Sequence, residues 1–154
     1  MTPEQLAKSK TEHAEQVALF AWCNMAASFG VQAAEDPLSY KVHKHAQIMV
    51  DQYLSRPDPR FAMLFAIHNQ GHGDAIRGSR AKAEGVKAGV PDLLLAITTN
   101  YAGLFIELKK ETKGKVSAKQ VDWLDKLEGQ KYKTAVCFGY KEAIAVILEY
   151  LGYQ

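Results

Sequence analysis

Two acids and a lysine stand at a spacing that chemistry can use. Asp92 follows Gly89-Val90-Pro91 and opens the apolar run Asp92-Leu93-Leu94-Leu95-Ala96-Ile97. Glu107 and Lys109 lie two apart in Leu104-Phe105-Ile106-Glu107-Leu108-Lys109. Side chains alternate across a strand, so Glu107 and Lys109 share a face, roughly 7 Å apart along it. Two carboxylates near each other inside a sheet repel and lose water. A divalent cation, Mg²⁺ or Mn²⁺, is the usual compensation. With a lysine beside it, that arrangement suits hydrolysis of a phosphodiester.

The elements that would position these groups can be read from the pattern. The run from Asp92 to Ile97 reads as a central strand. Thr98 to Gly103 reads as a short turn into the strand from Leu104 to Lys109, so the pair reads as a hairpin. Phe61 to Ile67 reads as a buried strand, Lys133 to Phe138 as the last one. Helical spacing predicts Thr11 to about Phe29, with Val17, Phe20, Ala21 and Met25 as its apolar positions and Gly30 as its stop. Ala33 to Leu38 reads as a loop, and Tyr40 to Leu54 as a second helix closed by Ser55 to Pro59. A helical turn is expected near Ser79 to Glu84, inside a long glycine-rich connection. Ser117 with Gln120 forms a capping box at the head of another helix. A final helix runs from Ala143 to Leu151. The order α-α-β-β-β-α-β-α describes an α/β fold, a small mixed sheet flanked by helices. In the first helix Glu12 and Gln16 share a stripe with Leu19 and Cys23. Glu12 could face a site, and Glu15, toward Leu19 and Trp22, is the alternative.

The ordered set Pro91-Asp92 … Glu107-Leu108-Lys109 resembles the PD-(D/E)XK nuclease superfamily, and within it the VRR-NUC branch. Lys82 to Leu93 is similar to that branch's glycine-rich approach to its aspartate, Gly114 to Leu124 to its post-lysine helix, and Glu12 to Gln16 to its first helix. The branch often reads Ile-Pro-Asn after the first strand, where this chain reads Ile67-His68-Asn69. The resemblance implies a restriction-endonuclease-like core over residues 1–154, one domain with a helical insertion at about 33–60. It implies a metal held by Asp92, Glu107, the Leu108 carbonyl and Glu12, and catalytic work by Asp92, Glu107, Lys109, Glu12 and Gln120. It also implies a phage-type endonuclease acting on branched DNA such as a four-way junction, as a homodimer. The alternative is a DNA-binding or scaffolding module that does not cut.

Composition sets wider bounds. Of 154 residues, 47% are hydrophobic and 23% charged, with a formal charge of +2, an ordinary balance for a folded domain. The basic residues cluster unevenly, Arg77, Arg80, Lys82 and Lys87 before Asp92, and Lys110, Lys113, Lys115 and Lys119 after Glu107. With Asn69, all of these except Lys119 are the expected phosphate contacts, although lysine runs are often only a solvated surface. Two distant cysteines suggest neither a disulfide framework nor a zinc site. His68, His72 and Asp74 lack a fourth ligand. Gly71-His72-Gly73 lacks the third glycine of a dinucleotide loop, so no nucleotide cofactor is expected. No signal-like or membrane-spanning run is evident, and an intracellular, cytoplasmic setting is the expectation.

Overall fold

The computed structural model describes residues 1–37, 56–68, 75–112 and 114–154, with Ala75 and Arg77 described in backbone only. The expected helix from Tyr40 to Leu54, and Asn69 and Lys113, lie outside these residues. Among the described residues, four strands form one mixed sheet in the order β1-β2-β3-β4: β1 Leu64–Ala66, β2 Leu93–Leu95, β3 Leu104–Lys109 and β4 Lys133–Phe138. The first three are antiparallel neighbours, and β4 runs parallel to β3. A parallel pair needs a crossover, supplied here by the helix Ala118–Gly129.

One face of the sheet carries Leu93, Leu95, Leu104, Ile106, Leu108 and Cys137. It packs into one core with Ala18, Leu19, Trp22, Cys23 and Ala26 of α2 (Glu12–Phe29, which follows the short α1, Pro3–Leu6) and Ala143, Ile144 and Ile147 of the last helix (Tyr140–Leu151). Removing this apolar surface from water is the main stabilising term. The crossover helix packs against β4. On the face shared with Glu107, Phe105 meets Tyr132 edge-on, with centroids 5.0 Å apart.

Several expectations are corrected. In α2 the buried stripe is Ala14, Glu15, Ala18, Leu19, Trp22, Cys23 and Ala26, and Val17 is 37% exposed. The helix is apolar nearly all round, so periodicity alone does not choose a face. Its alanines turn inward, where small side chains allow close packing. Pro59 to Met63 is a 3₁₀ turn and not strand, because Asp58 caps it through the Arg60 N–H (3.0 Å) and Pro59 occupies its first turn. Val31–Glu35 is helical, which overlaps the expected loop, and Pro3–Leu6 forms a helical turn with its own Thr2/Gln5 capping box. The connecting helix spans Ala75–Ala83, and the last helix begins at Tyr140, one residue after Gly139.

Candidate active site

The register of β2 on β3 builds the site. Leu93 pairs with Ile106, so the next pair in that register sets Asp92 opposite Glu107, on one face. The Asp92 carbonyl accepts from Ile67 N–H (2.7 Å), which turns the backbone groups of Asp92 toward β1. The Lys109 carbonyl accepts from Gly139 N–H (2.8 Å), which turns those of Lys109 toward β4. By alternation, the polar groups of Leu108 face Pro91. Pro91 has no N–H to give the Leu108 carbonyl. The Leu108 N–H donates instead to Asp92 Oδ2 at 2.9 Å. The ladder therefore ends in a carboxylate held by a backbone amide, beside a carbonyl that the opposite strand cannot occupy.

Glu107 is 1% exposed and Lys109 7%. Lys109 Nζ lies 2.8 Å from Glu107 Oε1, a buried ion pair. Gln120 closes the cluster. Its Nε2 donates to Glu107 Oε1, and its Oε1 accepts from Lys109 Nζ (3.3 Å) and from Ser117 N–H (2.8 Å). Its backbone N–H donates to Ser117 Oγ (3.2 Å). The capping box and the contact with the acid–lysine pair are thus made by one side chain, which joins two readings that the sequence held apart.

Glu107 Oε2 is buried and has no hydrogen-bond partner among the described residues. Burial pushes the Glu107 carboxyl up to about 7; the Lys109 hydrogen bond opposes the rise, and the charges of Asp92 and Glu12 add to it. A cation at this point would relieve both the desolvation and the repulsion. Among the described residues, no three His, Cys, Asp or Glu side chains are arranged to hold a metal by themselves. The fit is to a partly hydrated hard cation, with Asp92, Glu107 Oε2 and the Leu108 carbonyl as the available oxygens.

Asp92, Glu107, Lys109 and Gln120 line a cleft of about 880 Å³, together with Glu12, Lys82, Lys87, Gly89 and Lys119. Gly89 has φ +88°, and a Cβ there would lie 2.8 Å from the Lys119 backbone, so the approach to Asp92 presses directly on the helix that carries Gln120. A sequence model of the VRR-NUC domain matches residues 33–140. The chain belongs to the VRR-NUC domain family. Membership makes it a nuclease-type, DNA-acting domain. No curated protein sequence matches it. A solved structure described as a VRR_NUC domain protein superposes with a TM-score of 0.59 at 23% identity, covering 92% of this chain and 88% of that one. That likeness supports the fold.

In this member of the VRR-NUC family the two candidate acids of α2 separate. Glu12 lines the cleft. Glu15 is buried, and its Oε2 accepts from Tyr140 N–H at 2.9 Å. It caps the last helix, whose N-cap residue Gly139 has no side chain to do so. Of the expected phosphate contacts, Lys82 and Lys87 line the cleft, and Lys119 joins them. Arg80, Lys110 and Lys115 are exposed but outside its walls. The sequence reading gave no part to Gly89 and Gly114 beyond their motifs. Only their closeness in space to Lys119 and Lys109 reveals one.

Proposed function

We propose that this VRR-NUC domain is a metal-dependent DNA endonuclease that hydrolyses phosphodiester bonds with Mg²⁺ or Mn²⁺. The observation that carries the reading is the unpartnered, buried Glu107 Oε2 with Asp92 opposite it and a lysine on its other oxygen. Asp92, Glu107, the Leu108 carbonyl and Glu12 would hold the metal, Glu12 from the cleft wall, directly or through water. When bound, a divalent cation supplies a Lewis acid for the phosphate and lowers the pKa of an attacking water. Lys109 supplies a fixed positive charge for the negative charge that grows on the phosphoryl oxygens. Gln120 holds Lys109 and Glu107 in one geometry, so little reorganisation is needed during reaction. Lys82, Lys87 and Lys119 attract the backbone of the nucleic acid to the cleft.

Branched or structured DNA as the substrate, and a homodimer as the active form, belong to the same proposal. A four-way junction is two-fold symmetric, and two coordinated cuts need two sites at fixed separation, which an isologous dimer supplies. Family analogy supports this step. An intracellular setting completes it, in keeping with two free, buried cysteines, Cys23 and Cys137.

The test is a cleavage panel of purified protein on single-stranded, duplex, flap and four-way DNA with Mg²⁺, Mn²⁺ or EDTA. Metal-dependent cleavage strongest on the four-way substrate, by a protein of dimer mass in light scattering, is expected. Folded protein that binds DNA and cuts none of the four with either metal would leave a non-cutting DNA-binding module.

A further inference from the structure

Lysine is a poor instrument for placing a charge, because its four-carbon stem has many rotamers. In this chain the stem is held at both ends. The backbone of Lys109 is in β3, and its Nζ is held by Glu107 Oε1 at 2.8 Å and Gln120 Oε1 at 3.3 Å. A third constraint acts on the middle. A Cβ added to Gly114 would lie 2.5 Å from Lys109 Cβ, 2.9 Å from Cγ and 3.2 Å from Cδ. Gly114, between β3 and the crossover helix, therefore lays its bare backbone along the stem. Gly114 is not among the glycines with positive φ, which are Gly30, Gly85, Gly89, Gly139 and Gly152. Glycine is needed here for space and not for backbone conformation.

We infer that Gly114 is a positioning residue for Lys109, fixing the path of the lysine stem and so the place of its charge in the site. The inference rests on the nuclease reading for its catalytic consequence, but not for the contact itself. Any side chain at position 114 must displace the stem or lift the loop. Displacing the stem moves Nζ off Glu107 and Gln120. The nearest atom is the lysine Cβ, which sits on the strand and cannot swing away.

Gly114→Ala tests it with three readouts. The first is kinetic: kcat should fall on the order of tenfold to a hundredfold, as for other small displacements of reacting groups, with KM for DNA nearly unchanged. The second is spectroscopic and needs no activity. In metal-free protein with ¹³C-labelled lysine, the Lys109 Cε resonance, assigned by its loss in Lys109→Ala, should shift in Gly114→Ala while the other lysines hold. The third is a cycle: in a Lys109→Gly background, which removes the opposing Cβ, Cγ and Cδ, Gly114→Ala should cost no further activity. An unmoved Lys109 resonance, an unchanged kcat, or added loss in the Lys109→Gly background would overturn the inference. If Gly114→Ala does not fold, the double variant Gly114→Ala/Lys109→Gly removes all three opposing atoms. Its recovery of a cooperative melt supports the contact, and failure to recover counts against it. If wild-type protein cuts no DNA, the nuclease reading fails, and the resonance still decides whether Gly114 positions Lys109.

Discussion

Gln120 gives its amide nitrogen to Glu107 while its amide oxygen takes Lys109 Nζ and the Ser117 N–H. Its two duties separate in Gln120→Glu. Glutamate keeps the capping box, since its oxygen can still accept from the Ser117 N–H. It also sets a third negative charge against Glu107 and removes the donor. The helix should stay folded by circular dichroism, and cleavage should drop about tenfold to a hundredfold. Equal activity in this variant would reduce Gln120 to a cap.

Asp92→Asn and Glu107→Gln are isosteric. An Asn oxygen can accept from Leu108 N–H, and a Gln oxygen from Lys109 and Gln120, so the described hydrogen bonds survive. Only charge is lost. Cleavage should fall by at least about a hundredfold in each, with melting temperatures near wild type. Substantial activity in either folded variant removes that carboxylate from the proposed metal site.

Gly89→Ala should damage fold and site together. The residue sits at φ +88°, and its added Cβ would lie 2.8 Å from the Lys119 backbone. A loss of more than about 1 kcal/mol is expected, seen as a melting temperature lower by several degrees. Because Asp92 and Gln120 lie on the two parts forced away from each other, activity measured well below the melt should fall too.

Away from the site, Asp58 predicts acid sensitivity. Hydrogen bonding to Arg60 holds its carboxyl down at about 2, below the ordinary 3.8, with a further bond from Tyr153 Oη (2.7 Å). Arg60 also donates to the Leu151 carbonyl (3.1 Å), so the cluster ties the 3₁₀ turn to the last helix. The folded value lies below the unfolded one. The stability it confers is therefore present above pH 3.8 and lost as pH falls from there through about 2. Arg60 is 43% exposed, which screens the pair, so the gain is on the order of 1–2 kcal/mol. Denaturant midpoints of wild type and Asp58→Asn should differ at pH 7 and converge near pH 2. A constant difference across that range would assign the effect to packing.

Strand alternation was enough to place Glu107 and Lys109 on one face, and the hairpin to bring Asp92 to them, because period-two geometry survives any tertiary context. The strand from Leu104 to Lys109 and the strand from Lys133 to Phe138 keep their expected bounds. The choice between Glu12 and Glu15 was not legible. It depends on the roll of a helix that is apolar on nearly every side, and a distant glycine-capped helix settles it. The lengths of the first strands were also hidden, since the Asp58 cap converts Phe61 to Met63 into a turn. The contacts of Gly89 and Gly114 are closures of loop on strand or helix, and single-sequence patterning carries no signal for those.

The bond from Tyr140 to Glu15 has a consequence for the other end of the same helical turn. Glu12 and Glu15 are three residues apart, about 60° around the axis and 4.5 Å along it. Glu15 is locked into the core, so it acts as an angular reference for α2, and Glu12 takes its bearing on the cleft from it. Shortening that lock would let the whole cylinder rotate. The acid at the lip of the cleft would then drift relative to Asp92 and Glu107, though neither had been touched.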